Sequence, residues 1–164
     1  MKNQSLEMNI LRVLLILGII TIINLIRKPP VKDWFFIFVL KGCLSSILDT
    51  LVVKKGYIKY PVTLLKSVSI SFGFDYLLYP IACVYYHQIT KSSNIVGILI
   101  KALYFSIPMA ITEYFLEKKT NLINFKKGWN SFTSFWTMTI TFLISRLIIA
   151  LVRKCDKTPI PENF

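Results

Sequence analysis

Histidine is nearly absent from this chain, with one in 164 residues, and cysteine and acid are scarce, at three Cys and eight Asp plus Glu. Each shortage closes off a class of function. The single His87 stands without an H-E-x-x-H, a G-x-S-x-G or a phosphate-cradling Gly-rich loop, so no catalytic signature is present. No pair of carboxylates lies close enough in sequence to suggest metal-assisted chemistry, and no catalytic residue, metal ligand or cofactor is assigned. At a helix end near the interface, His87 is expected to be solvated. Cys43 and Cys83 fall inside apolar stretches and Cys155 sits in the tail, which reads as three free thiols rather than a disulfide framework. Long polar segments are missing too. The widest gaps between apolar stretches, 54–67 and 117–128, leave no room for a soluble domain, so residues 1–164 form a single unit.

What the chain does have is apolar length. Hydrophobic residues make up 54% of it and the mean hydropathy is +0.58. Five stretches, about 10–26, 34–53, 68–86, 95–116 and 129–152, meet or approach the roughly 17 to 25 residues that cross a bilayer. The expected fold is an all-α integral membrane protein, a five-helix transmembrane bundle with short basic, aromatic loops. Arg12 shortens the first stretch, for which a helix lying on the membrane surface is the alternative. That stretch ends in Arg27-Lys28-Pro29-Pro30 without a small-residue cleavage pattern, as an uncleaved anchor would.

The formal charge is +12, and most Lys and Arg sit where helices meet the headgroups: Arg27-Lys28, Lys54-Lys55, Lys118-Lys119, Lys126-Lys127 and Arg153-Lys154. Trp34, Tyr57, Tyr60, Tyr86 and Trp129 form an aromatic belt beside them. Bases so placed point to anionic lipid headgroups of the bilayer as the partner rather than to nucleic acid. With five spans, one face would carry Lys2, Lys54, Lys55, Lys59, Lys66, Lys118, Lys119, Lys126 and Lys127. The other would carry Arg27, Lys28, Lys32, Lys91, Arg153, Lys154 and Lys157, which makes nine against seven. The excess of basic residues places the amino terminus in the cytoplasm and the carboxyl terminus outside the cell membrane.

Besides Arg12, six charged residues lie within the apolar stretches, at membrane depth: Lys41, Asp49, Asp75, Lys101, Glu113 and Arg146. An ionised group at the bilayer centre costs several kcal/mol, by most estimates about 2.5 or more. Asp49, Glu113, Lys101 and Arg146 are shallow enough to reach an interface. Lys41 and Asp75, near mid-span on consecutive helices, are not, and a buried Lys41 to Asp75 pair is expected. Ser45, Ser46, Ser69, Ser71, Tyr76 and Tyr79 suggest a lined crevice around them, and Pro80 should free the carbonyl of Tyr76. Small residues at four-residue spacing, Gly42 and Ser46 on one helix and Ala102, Ser106 and Ala110 on another, mark helix-packing seams. Pro108 should kink the fourth helix. Asp49 and Glu113 each precede a double lysine by five residues, a hint of two repeated helical hairpins related by an axis along the membrane normal.

The motifs Lys28-Pro-Pro-Val-Lys-Asp-Trp34, Lys54-Lys-Gly-Tyr57, Tyr60-Pro61, Phe74-Asp-Tyr-Leu-Leu-Tyr-Pro80, Glu117-Lys-Lys-Thr-Asn-Leu122 and Lys127-Gly-Trp-Asn130 carry a resemblance. So do Lys41-Gly42, Ser45-Ser46, Asp49 and Glu113-Tyr114. Over about residues 28 to 153 the chain resembles a family of small multi-pass membrane proteins of spore-forming Gram-positive bacteria, a family with no established activity. That resemblance implies a cell-membrane address and a sporulation or envelope role. It transfers no catalytic or binding residue. The functional expectation is a non-enzymatic component of a membrane or spore-envelope complex, with a protein partner or a homo-oligomer. A small transporter or channel subunit with an intramembrane Lys/Asp site is the alternative, and a lipid-modifying enzyme the third.

Overall fold

Side chains that are apolar nearly all the way round a helix need an apolar solvent, and the helices of this chain have that character. The structure is a computed structural model, and residues 4–26, 31–62 and 73–156 are described. Its elements are α1 (Gln4–Ile26), α2 (Val31–Lys54), β1 (Ile58–Lys59), a π-helical segment (Phe74–Leu78) running into α3 (Tyr79–Thr90), α4 (Ile95–Lys119), β2 (Asn124–Phe125) and α5 (Ser131–Asp156). The fold is an all-α membrane bundle. Among the described residues four helices are long and apolar enough to cross a membrane: Ser5–Leu25, Val31–Lys54, Ile95–Lys119 and Ser131–Cys155. Where the third span is expected, the structure has the π segment and α3, which end at Thr90 rather than at residue 86 and are not among those four. Its expected start at 68–72 lies outside the described residues, as do Ser69 and Ser71. Outward-facing Phe35, Ile47, Ile95, Tyr104, Phe132 and Leu147 are all exposed, as a lipid-facing surface requires.

The helix ends are defined by local chemistry. Gly56, at φ +76°, lets α2 close with its N–H on the Val53 carbonyl at 2.9 Å while Tyr57 N–H reaches the Val52 carbonyl at 3.0 Å. These are the paired bonds of a Schellman C-cap, and the left-handed residue they need is the glycine. Asn94 caps α4 by accepting the Gly97 N–H at 2.9 Å. Pro80 has no N–H to give Tyr76. The turn before it widens, Tyr79 N–H bonding to Phe74 O five residues back, and the π segment results.

β1 and β2 pair antiparallel, Ile58 with Phe125 and Lys59 with Asn124. The loop after α2 and the loop after α4 therefore meet at one end of the bundle. At the other end Arg153 on α5 bonds Asp33 on α2 at 2.9 Å. Two apolar clusters fill the interior. One, near the α2 N-terminus, is built on Ile37, Val84, Tyr86, Ala102 and Phe142. The other, beneath the strand pair, is built on Ile58, Phe74, Leu116, Leu122 and Ile123. Between them lies the polar layer.

Candidate functional site: an acidic cavity inside the bundle

Three carboxyl groups from three different elements line one cavity of about 70 Å³: Asp49 from α2, Asp75 from the π segment and Glu113 from α4. Lys41 and Ser45 join them from α2, Tyr79 from α3, Tyr60 from the loop beyond β1, and Ser134, Thr137 and Thr141 from α5. The volume is room for about two or three water molecules, each occupying about 30 Å³ in the liquid.

Each polar group has a definable setting. Tyr60 OH donates to Asp49 Oδ1 at 2.7 Å, and Tyr79 OH donates to Glu113 Oε1. Asp75 Oδ2 is buried with no hydrogen-bond partner among the described residues. Ser134 stands beside Glu113, while Glu113 Oε2 is buried with no hydrogen-bond partner among the described residues. Lys41, 3% exposed, donates from Nζ to Thr141 Oγ1 at 2.5 Å and lies 5.0 Å from the centre of the Phe142 ring. Asp75, also 3% exposed, lines the same cavity, yet no ion pair within 4 Å joins it to Lys41. The ammonium is satisfied by a hydroxyl and an aromatic face, and it acts on Asp75 through space. Burial and the nearby charges of Asp49, Asp75 and Glu113 push the Tyr60 phenol well above its ordinary pKa, so its hydroxyl remains a donor.

The other intramembrane charges divide by sign. Asp49 and Glu113, expected near the inner interface, both line the cavity. Lys101 and Arg146 bond the last carbonyls of α3: Lys101 Nζ to Ile89 O at 2.7 Å and to Ser93 Oγ at 2.8 Å, Arg146 Nη2 to Thr90 O at 3.1 Å. Two cations thus meet the negative end of a helix dipole. His87 corrects the expectation of a solvated side chain, since it is 2% exposed. Its Nε2 lies 3.3 Å from Ser145 Oγ, and Cys83 Sγ lies 3.2 Å from the same oxygen. Ser145 Oγ also donates to the Phe142 carbonyl at 2.7 Å.

Of the small residues, Ala102 and Ser106 are fully buried and Ala110 nearly so. Gly42 is buried beside Pro80 and Tyr76, and Ser46 Oγ is 2.7 Å from Tyr76 OH, so this pair faces the π segment and α3. Glu7 on α1 had no reading in the sequence. It is 2% exposed and accepts the Asn121 N–H at 2.7 Å, fastening α1 to the loop after α4. Glu7 precedes the apolar run by one turn, and nothing in its spacing gives that partner away.

No group of three or more His, Cys, Asp and Glu among the described residues has the spacing to hold a metal ion. No protein-family model, curated protein or solved structure matches the chain.

Proposed function

We propose that this chain is a small transporter or channel subunit whose acidic cavity takes up and hands on protons. One observation carries the reading: Asp49, Asp75 and Glu113 converge from three elements on a cavity whose only cationic lining residue among those described is Lys41. Packing alone asks for no such arrangement, since isolated buried charge is costly and is kept where it moves or binds something. The groups facing the cavity are Lys41 and Asp49 from α2, Tyr60 from the loop, Asp75 and Tyr79 from the third helix and Glu113 from α4. From α5 come the hydroxyls of Ser134, Thr137 and Thr141 and the apolar Met138, and from the loop before it Trp129. Three acids against one base favour an added positive charge. A proton is the simplest such charge for carboxyls to carry and pass on.

Ion handling accounts for the acidic cavity, which a passive envelope component does not require. A lipid-modifying enzyme would need a basic clamp at headgroup level beside the acids, and the only Lys or Arg among the described residues lining their cavity is the mid-span Lys41. We place the membrane in the cell envelope with the strand-paired end in the cytoplasm, on the strength of its lysines. The test is proton flux into liposomes containing the purified chain, driven by an imposed potential and read by an enclosed pH dye. Wild type should acidify the lumen faster than Asp75→Asn or Glu113→Gln. Flux equal to that of empty liposomes, or unchanged in both variants, sinks the proposal.

A further inference from the structure

A groove of about 360 Å³ opens between α3 and α4, lined by Phe74, Ala82, Tyr85, Phe105 and Met109, and it shares Tyr79 and Glu113 with the acidic cavity. We infer that this groove admits a lipophilic monocation from the bilayer and that Glu113 holds its charge. The inference rests on reading the cavity as an ion-handling site and adds to it a class of substrate.

Three independent features agree on that class. The groove is apolar and its size lies within the roughly 300 to 1,000 Å³ of small-molecule sites, so the occupant has an apolar body. Phe74, Tyr79, Tyr85 and Phe105 present four aromatic rings, whose faces attract cations. At the inner end Glu113 is 8% exposed, with Oε1 taken by Tyr79 and Oε2 buried without a hydrogen-bond partner among the described residues. Asp49 and Asp75 add negative charge behind it, while Lys41 is turned away onto Thr141 and the Phe142 face. An anion would be repelled there, and a small hydrated cation would gain nothing from the groove. A proton and the lipophilic cation compete for the same carboxyl, so each displaces the other.

The test uses the full chain in lipid nanodiscs and two probes of equal charge, tetraphenylphosphonium and tetramethylammonium, with binding read by equilibrium dialysis against empty nanodiscs. Tetraphenylphosphonium should bind saturably, and tetramethylammonium at least about tenfold more weakly. Acidification should weaken binding, and binding should release protons to an unbuffered solution. Glu113→Gln should lose at least about tenfold in affinity, the equivalent of about 1.4 kcal/mol. Ala82→Trp, which fills the groove, should also lose binding, with helicity and elution volume checking that both variants fold. The wild-type comparison needs no variant: equal binding of the two probes, or no saturable binding of either, overturns the inference. Wild-type affinity in Glu113→Gln or Ala82→Trp overturns it as well, as mere partition into lipid. Proton flux without tetraphenylphosphonium binding sinks the groove alone, whereas absent flux sinks the ion-handling reading beneath it.

Discussion

Tyr60 shows how one hydroxyl from a loop closes a site otherwise made of helices. Its bond to Asp49 supplies a donor to a carboxyl that has left bulk water, and a buried acceptor deprived of its donor costs about 1 to 3 kcal/mol. Tyr60→Phe should lower stability by that amount in chemical or thermal unfolding. The raised phenol pKa gives a pH signature whose sign can be worked out. In the folded chain Tyr60 stays neutral, so its contribution is fully present below the unfolded value, about 10. It is lost as pH rises above that value, because only the unfolded state then ionises. Between pH 9 and 11 the melting temperature of wild type should fall more steeply than that of Tyr60→Phe, and parallel curves would contradict the assignment.

Lys41 makes a separate claim at the same scale. Because its ammonium bonds Thr141 and no ion pair joins it to Asp75, a double-mutant cycle of Lys41→Met with Thr141→Val should show a coupling of about 0.5 to 3 kcal/mol. The Lys41→Met with Asp75→Asn cycle should show the smaller coupling. The reverse ranking would restore a direct pair. That Lys41 and Asp75 lie deep was legible from their distance to the helix ends. Their partners were not, because depth along a helix says nothing of rotation about it. The same blindness hid the convergence of Asp49 and Glu113 on the cavity and the use of Lys101 and Arg146 as caps on α3.

At the scale of elements, small residues were easier to read than charges. The four-residue spacing of Ala102, Ser106 and Ala110 puts them on one stripe of α4, and the structure buries all three. Ser106 has no exposed surface and spends its hydroxyl on the Ala102 carbonyl at 2.9 Å, so it leaves no partner behind when replaced. Ser106→Ala should therefore be mild. Ser106→Leu should cost about 1 to 3 kcal/mol by forcing α4 from its neighbours, measured by unfolding in detergent, and a neutral Leu would mean that the stripe has slack. Pro80 was legible as a break in backbone bonding, but its outcome was not. Whether a freed carbonyl kinks a helix or widens it into a π turn depends on what packs there, and here the widened turn carries Asp75 to the cavity.

For the whole molecule, hydropathy revealed the helices, and charge asymmetry suggested which end lies inside. Neither could show that the loops after α2 and α4 pair through β1 and β2. That contact ties the two loops to one side of the membrane whatever the status of α1, so the lysines of both count together. Lys54, Lys55, Lys59, Lys118, Lys119, Lys126 and Lys127 all lie in or beside this end. Basic residues flanking spans are retained in the cytoplasm. Reporter fusions after Lys59 and after Lys119 should therefore read cytoplasmic together, and a fusion after Cys155, at the end of α5, should read external. Opposite locations for the two loop fusions would break the strand pairing. If both instead read external and Cys155 cytoplasmic, the bundle would be inverted, the lysines would not set its orientation, and the acidic cavity would open toward the outer face.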